Sequence, residues 1–236
     1  MLRGIYNSGI GMNTGIRQLN IISNNLANAD TTGFKKDDMT VGKFEAELSS
    51  KIGNKEVLTM DTVYTDYMQG SLDDTSNDFD LAIKGEGFFT VDRDGEKYTR
   101  DGSFALDKEG YLVTKDGFKV QGEKGQIKFA GDKLRINEAG EIFDGLVKID
   151  KLKMMNFENL DSLEKAGDNL VKKTEQTVEK DCKAQVLQGF LETSNVNVVT
   201  EMVDMIEVMR NFEANQKVLK VHDEMLGKSA NEIGKV

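Results

Sequence analysis

The sequence contains no proline or tryptophan, and only one cysteine and one histidine among 236 residues. A single cysteine excludes an internal disulfide, and with a single histidine it also excludes the usual His/Cys zinc sites. Apolar runs fall well short of the roughly 20 residues that a membrane-spanning helix needs. The first residues have no continuous apolar stretch, so we expect no cleaved signal peptide. We also expect no bound metal, no cofactor and no membrane insertion.

Positive charge is also in short supply. The chain has 31 Lys and Arg residues against 41 Asp and Glu residues, a formal net charge of -10. Nucleic-acid binding needs a basic face, and no cluster of Lys or Arg stands clear of acidic residues. The composition therefore argues against nucleic acid as a partner.

The first 28 residues carry a stripe of large apolar residues at heptad spacing, which is typical of a coiled-coil helix. Four glycines in the same stretch each cost about 1 kcal/mol of helix propensity relative to alanine, so we expect the helix to form only when packed. The stripe consists of Leu2, Ile5, Met12, Ile16, Leu19 and Leu26.

The middle of the chain changes to a period of two. Short apolar runs such as Phe88–Val91 and Tyr111–Val113 alternate with Asp94-Gly95, Asp101-Gly102 and Asp116-Gly117. Asp-Gly between β-type runs predicts hairpin turns, because such turns need positive φ. We therefore predict short antiparallel strands in a compact barrel or sandwich.

The C-terminal region returns to helical spacing. Apolar residues recur there at intervals of three and four, interrupted at Gln216, and predict a second amphipathic helix. The resulting fold class is α+β, with N- and C-terminal amphipathic helices forming a coiled coil, within one chain or among many, around a central all-β domain. The C-terminal stripe consists of Met202, Met205, Met209, Phe212, Leu219 and Leu226.

Four segments follow from this pattern. We predict an N-terminal helix and turn over 1–34, an extended connecting segment over 35–79, a β domain over 80–185 and a C-terminal helix over 186–236.

No residue set points to catalysis. Gly227-Lys228-Ser229 resembles the end of a phosphate loop, but His222 occupies the position of the required glycine. Gly85 and Gly87 form only half of a dinucleotide fingerprint and fit a tight bend better. Cys182 and His222 have no partner in the sequence, and no carboxylate pair stands out. We therefore predict no catalytic residues.

Three motifs, in order along the chain, closely resemble those of the bacterial flagellar axial proteins, which form the rod and hook. They lie in Ser23–Lys35, in Asp80–Phe89 with Tyr98–Phe104, and in Leu191–Asn197 with the helix that follows. The match is to a rod member, distal or proximal. The motif residues singled out are Asn24, Asn25, Leu26, Ala27, Asn28, Thr32, Gly33, Phe34, Gly85, Gly87, Phe88, Phe89, Leu191, Glu192, Ser194, Asn195, Val196 and Asn197.

The resemblance implies a structural subunit of the flagellar basal-body rod. Such subunits are exported by the flagellar type III apparatus and polymerise with copies of themselves, and with other rod and hook proteins, into a hollow helical tube. The tube transmits torque and passes exported subunits. The two apolar stripes would form its inner layer as assembly interface, and Asn24, Asn25 and Asn28 would either hydrogen-bond across subunits or simply end the first helix.

Two other functions stay open at this point. A soluble adaptor or cap would use the same helices in a complex of finite size. An enzyme acting on the cell wall that the rod crosses would need a catalytic carboxylate.

Overall fold

The computed structural model of the chain separates into two compact units. The first, the helical unit, falls within residues 1–27, 37–66 and 196–236, and the second, the β unit, within 28–36 and 67–195. The backbone is described over residues 2–44, 58–129, 134–145, 147–182 and 184–233.

The helical unit contains two long helices and two strands, all antiparallel where they pair. Helix α1 spans Leu2–Ala27 and helix α2 spans Val198–Ile233. Strands β1 (Asp37–Phe44) and β2 (Leu58–Thr65) pair over eight residues each. Where we expected an extended connecting segment over 35–79, the structure therefore has a strand pair, whose Thr-, Asp- and Lys-containing strands lack a clear apolar alternation.

Helix α2 begins at a side-chain cap. The Oδ1 atom of Asn197 accepts a hydrogen bond from the Thr200 backbone N at 3.1 Å, which satisfies one of the free donors of the first turn. Upstream of the cap the chain is extended in short strands, so the helix starts later than the predicted boundary at 186. Asn197, one of the motif residues, thus fixes the point where the strands give way to the helix.

The β unit is built from short antiparallel strands, as the period of two predicts. Its largest sheet runs β15-β16-β6-β5-β9-β8-β7, with β10 and β14 attached to β9 and β5. Smaller sheets are β11-β12-β13, β18-β4 and β19-β3. The strands are β3 Leu72–Asp74, β4 Leu81–Lys84, β5 Phe88–Asp92, β6 Glu96–Thr99, β7 Phe104–Leu106, β8 Leu112–Thr114, β9 Lys119–Gly122, β10 Gly125–Gln126, β11 Leu134–Ile136, β12 Glu141–Asp144, β13 Val147–Lys151, β14 Met154–Phe157, β15 Glu164–Gly167, β16 Leu170–Lys172, β17 Glu179–Lys180, β18 Gln185–Gln188 and β19 Phe190–Glu192.

Strand β5 is buried on both faces. Successive side chains of a strand point to opposite sides, so Phe89 joins one hydrophobic cluster, with Leu81 and Leu112, while Phe88 joins another, with Tyr98. This arrangement explains why Phe88–Val91 reads as a continuous apolar run instead of an alternating one.

The Asp-Gly signals have two different outcomes. Asp94 and Gly95 adopt φ of 51° and 108° between β5 and β6, as the hairpin prediction requires. Gly102 does not adopt positive φ. It lies against the backbone of Leu81, so that an added Cβ would be 1.6 Å from the Leu81 O atom. There glycine permits close backbone approach and does not make a turn.

Candidate assembly site

Helices α1 and α2 pack along a face of small and polar residues. An added Cβ at Gly4 would lie 3.1 Å from Nε2 of His222, and one at Gly11 would lie 3.0 Å from Nδ2 of Asn215. Because α1 residues of rising number meet α2 residues of falling number, the two helices are antiparallel. On α1, Gly4, Gly11, Gly15 and Asn25 contact α2, and the spacing of four and three that they follow also includes the buried Ser8 and Ile22 and the half-buried Gln18.

The predicted α1 stripe is not the centre of that contact. At about 100° per residue, it lies roughly a quarter turn round α1 from the contact face. Ile5, Met12, Leu19 and Leu26 are half-buried and Ile16 is 47% exposed. The side chain of Leu2 lies outside the described residues. Within one chain, small residues of α1 contact α2, because they let the two helices approach closely. Hydrophobic spacing alone does not predict this contact.

The predicted α2 stripe divides between two environments. Met205, Phe212 and Leu219 are half-buried on the side that faces α1, and Phe212 contacts the position of Gly15. The other three predicted residues, Met202, Met209 and Leu226, are exposed.

Asn25 connects three elements of the helical unit. Its Nδ2 atom donates to the Asp37 O atom at 2.8 Å and to Oε2 of Glu201 at 3.2 Å, and its Oδ1 atom accepts from the Asp37 N atom at 3.0 Å. The residue is 1% exposed, so its amide is engaged inside the chain. Asn24 is exposed, and Asn28 accepts a hydrogen bond from Thr31 just after the helix ends.

Replacing Gly11 by leucine is expected to separate α1 from α2, because a longer side chain there would overlap the Asn215 amide and force it aside. Gly9→Leu is the matched control, since an added Cβ there meets nothing within 4 Å. Both changes raise helix propensity by a similar amount. We expect limited proteolysis to cut α2 faster in Gly11→Leu alone. Equal protection in both variants would contradict the close-contact role of Gly11.

In the β unit, the first and last motifs meet around a buried carboxylate. The side chain of Glu192, at the end of β19, is 0% exposed and forms ion pairs with Lys35 and with Arg100, whose NH1 atom is 3.2 Å away. The Glu192 Oε1 atom also accepts from the Gly70 N atom at 3.2 Å. We call Lys35, Arg100 and Glu192 the Glu192 cluster.

The two cations of the Glu192 cluster have further acceptors. Lys35 Nζ donates to the Met68 O atom at 2.7 Å, and Arg100 NH2 donates to the Gly85 O atom at 2.7 Å. The Arg100 guanidinium lies 5.4 Å from the centroid of the Phe88 ring, within cation–π range. Burial lowers the pKa of Arg100 from its ordinary value, and the Glu192 carboxylate opposes that shift. Two buried cations therefore share the Glu192 carboxylate.

Backbone contacts bring the same motifs together. The Gly33 N atom donates to the Glu192 O atom at 2.7 Å, and the Lys36 N atom donates to Oδ1 of Asn195 at 2.9 Å. Gly33 has φ of 66°. Phe34 is buried, and Nζ of Lys165 lies 4.9 Å from its ring centroid. The segment after α1 is thus fixed to the segment before α2.

The remaining motif residues differ in burial and in the contacts that they make. An added Cβ at Gly87 would lie 2.5 Å from Sγ of Cys182, as expected of a bend with close approach. Leu191, Ser194 and Val196 are half-buried, as is Thr32, whose hydroxyl donates to Asp101. Ala27 is exposed at the end of α1. Lys35 and Arg100 lie within the motifs, but the sequence does not single them out as site residues. The sequence feature that could have identified them is a charged residue inside a glycine-rich or β-type run.

Two further features of the described ranges bear on function. No group of three or more His, Cys, Asp or Glu side chains within them is arranged to hold a metal ion. None of the helices described is long and apolar enough to cross a membrane.

Three protein-family models match the chain in order. The model of the flagella basal body rod protein matches residues 5–35, that of the flagellar hook protein FlgE/F/G D1 domain matches 82–143, and that of the flagellar basal body rod FlgEFG protein C-terminal region matches 187–233.

Similarity to curated proteins extends over nearly the whole chain. The flagellar basal-body rod protein FlgF of Caulobacter vibrioides is 36% identical, and the alignment covers 93% of each chain. The FlgG protein of Buchnera aphidicola subsp. Acyrthosiphon pisum is 35% identical over 97% of this chain and 98% of its own. The FlgG protein of Bacillus subtilis is 32% identical over 98% and 99%.

Proposed function

This chain belongs to the flagellar basal-body rod protein family, and we propose that it is a structural subunit of the rod in the bacterial flagellar basal body. The observation that carries this function is similarity to named rod proteins from end to end, at 36% identity over 93% of both chains for FlgF. The role is structural, and no catalytic step is part of it.

We further propose that the subunit polymerises with copies of itself into a hollow helical tube, joined to other rod and hook proteins. In this proposal α1 and α2 form an inner layer of coiled-coil packing, and the predicted residues Leu2, Ile5, Met12, Ile16, Leu19, Leu26, Met202, Met205, Met209, Phe212, Leu219 and Leu226 contribute to it. The tube transmits torque and passes subunits exported by the flagellar type III apparatus.

Two features of the helical unit support assembly through these helices. The contact face of α1 is made largely of glycine and polar residues, which bury little apolar area and leave the pair weakly stabilised on its own. Large apolar side chains such as Ile206 and Val221 remain about half exposed. Contact with neighbouring copies would bury them.

The test is the size of the assembled species. Concentrated protein is expected to form open hollow filaments under the electron microscope, with no fixed mass in sedimentation. Phe212→Asp places a charge at the α1–α2 contact and is expected to abolish filaments while circular dichroism still shows a folded β unit. A complex of fixed stoichiometry would instead identify an adaptor or cap. Cell-wall turnover by the purified chain, lost with one carboxylate, would identify a hydrolase.

A further inference from the structure

Exposed large apolar residues occur along much of α2, including Val199 and Val203, and two strips of them, one shared with α1, lie at different heights along that helix. The side strip comprises Ile16 and Leu19 of α1 with Met202, Ile206 and Met209 of α2, and the edge strip comprises Val218, Val221 and Met225 of α2. Except for the half-buried Leu19, these residues are all exposed, from 43% at Val218 to 52% at Val221 and Ile206. Contiguous exposed apolar surface marks an interaction site in proteins of this kind.

The side strip is continuous across both helices. Each of its members is turned by up to about a third of a turn from its own helix's contact face, in the direction of rising residue number. In an antiparallel pair the two directions of rotation are opposed, so both sets point to the same side of the pair. Gly15 contacts Val208 and Phe212, which sets Ile16 beside Met209.

The edge strip occupies a different part of α2. Val218, Val221 and Met225 follow spacings of three and four, as the apolar positions of a coiled-coil helix do. Val218 and Met225 lie about 100° or more round the helix from the α2 members of the side strip, and Val221 lies about 60° from Ile206 but 15 residues further along the helix. No residue belongs to both strips, so each copy presents two unlike apolar surfaces.

We infer that the side strip of one copy packs against the edge strip of a second copy. This inference rests on the proposed rod function and specifies its self-contact. Charge favours that partner, because residues 198–213 carry three exposed acidic residues against one basic, whereas 214–228 carry three lysines against two acidic residues. A contact between two unlike surfaces is heterologous, and it propagates through many copies instead of closing as a symmetric dimer.

The test uses two complementary variants, Ile206→Asp in the side strip and Val221→Asp in the edge strip. Both positions are exposed, so each monomer keeps its wild-type circular dichroism. We expect neither variant to form filaments alone. Mixed at equal concentration, they retain one intact side strip and one intact edge strip between them, and we expect a 1:1 pair of twice the monomer mass in sedimentation velocity. Asn13→Asp, at an exposed position of α1 that belongs to neither strip, should assemble normally.

Cross-linking provides a second measurement, because it traps covalently a contact that is too weak to survive sedimentation. In a Cys182→Ser background, the chain carrying both Ile206→Cys and Val221→Cys is expected to give a ladder of multimers with a short bismaleimide, and either cysteine alone is not. Normal filaments from Ile206→Asp or from Val221→Asp would overturn this inference and leave the rod function standing. If such a variant forms normal filaments but cells that carry it are not motile, the strip binds a different protein. A wild-type chain that never forms filaments would overturn both.

Discussion

Replacing Glu192 by glutamine is expected to lower the free energy of unfolding of the β unit by about 3–5 kcal/mol, because the change removes the buried carboxylate that pairs with both Lys35 and Arg100. The glutamine has nearly the same shape, so the loss reflects charge more than volume. For a unit of this size the calorimetric transition should fall by about 10 °C or more.

The matched control is Glu96→Gln. Glu96 pairs with Lys153 at the surface, where both side chains are partly exposed, and such pairs contribute less than about 1 kcal/mol. The hydrogen bond from Lys153 lowers the pKa of Glu96. Its small contribution is therefore present at neutral pH and lost as the pH falls through the carboxyl range. Equal shifts for Glu192→Gln and Glu96→Gln would show that the Glu192 cluster does not stabilise the β unit.

A second variant tests the charge balance within the cluster. Lys35→Met removes one of the two cations and leaves Arg100 paired with Glu192. We expect this change to cost clearly less than Glu192→Gln, although it also removes the hydrogen bond to the Met68 O atom. A larger cost for Lys35→Met would mean that the cluster is held together mainly by Lys35.

The sequence predicts best what depends on local patterning. The strands around Phe88–Val91 and the turn at Asp94-Gly95 follow from the period of two and from a residue pair that accepts positive φ. Both terminal helices are also recognisable from their apolar spacing. Strands β1 and β2 are less so, because apolar and polar residues alternate only over short runs, Asp38–Val41 and Leu58–Asp61, within a largely polar segment.

Helix contacts are harder to predict, because hydrophobic spacing shows which face of a helix is apolar but not which face contacts the other helix. On α1 the predicted apolar stripe lies about a quarter turn from the contact face, where Gly4, Gly11 and Gly15 meet α2. Likewise Glu192 has no apolar signal, and its burial depends on two cations that are 157 and 92 residues away in the chain. Long-range pairing of this kind becomes visible only in the folded structure.

Replacing Gly33 by alanine is expected to be among the most damaging single changes in the chain. Its φ of 66° costs a non-glycine residue about 1–2 kcal/mol. In addition, an added Cβ would lie 2.4 Å from the Asp101 N atom and 2.5 Å from the Arg100 C atom, which are backbone atoms that cannot turn aside. The shift would also displace the Gly33 N atom from the Glu192 O atom. We expect the two effects together to exceed about 3 kcal/mol.

Gly145→Ala separates these two effects, because Gly145 has nearly the same φ, 63°, and an added Cβ there meets nothing within 4 Å. It should cost only the conformational part, about 1–2 kcal/mol. The measurement is urea unfolding of both variants, followed by tyrosine fluorescence. The excess loss in Gly33→Ala measures how strongly the segment after α1 is fixed to Arg100 and Asp101. If both variants unfold alike, Gly33 serves only as a turn residue, and its close backbone contact does not help to fix the segment after α1.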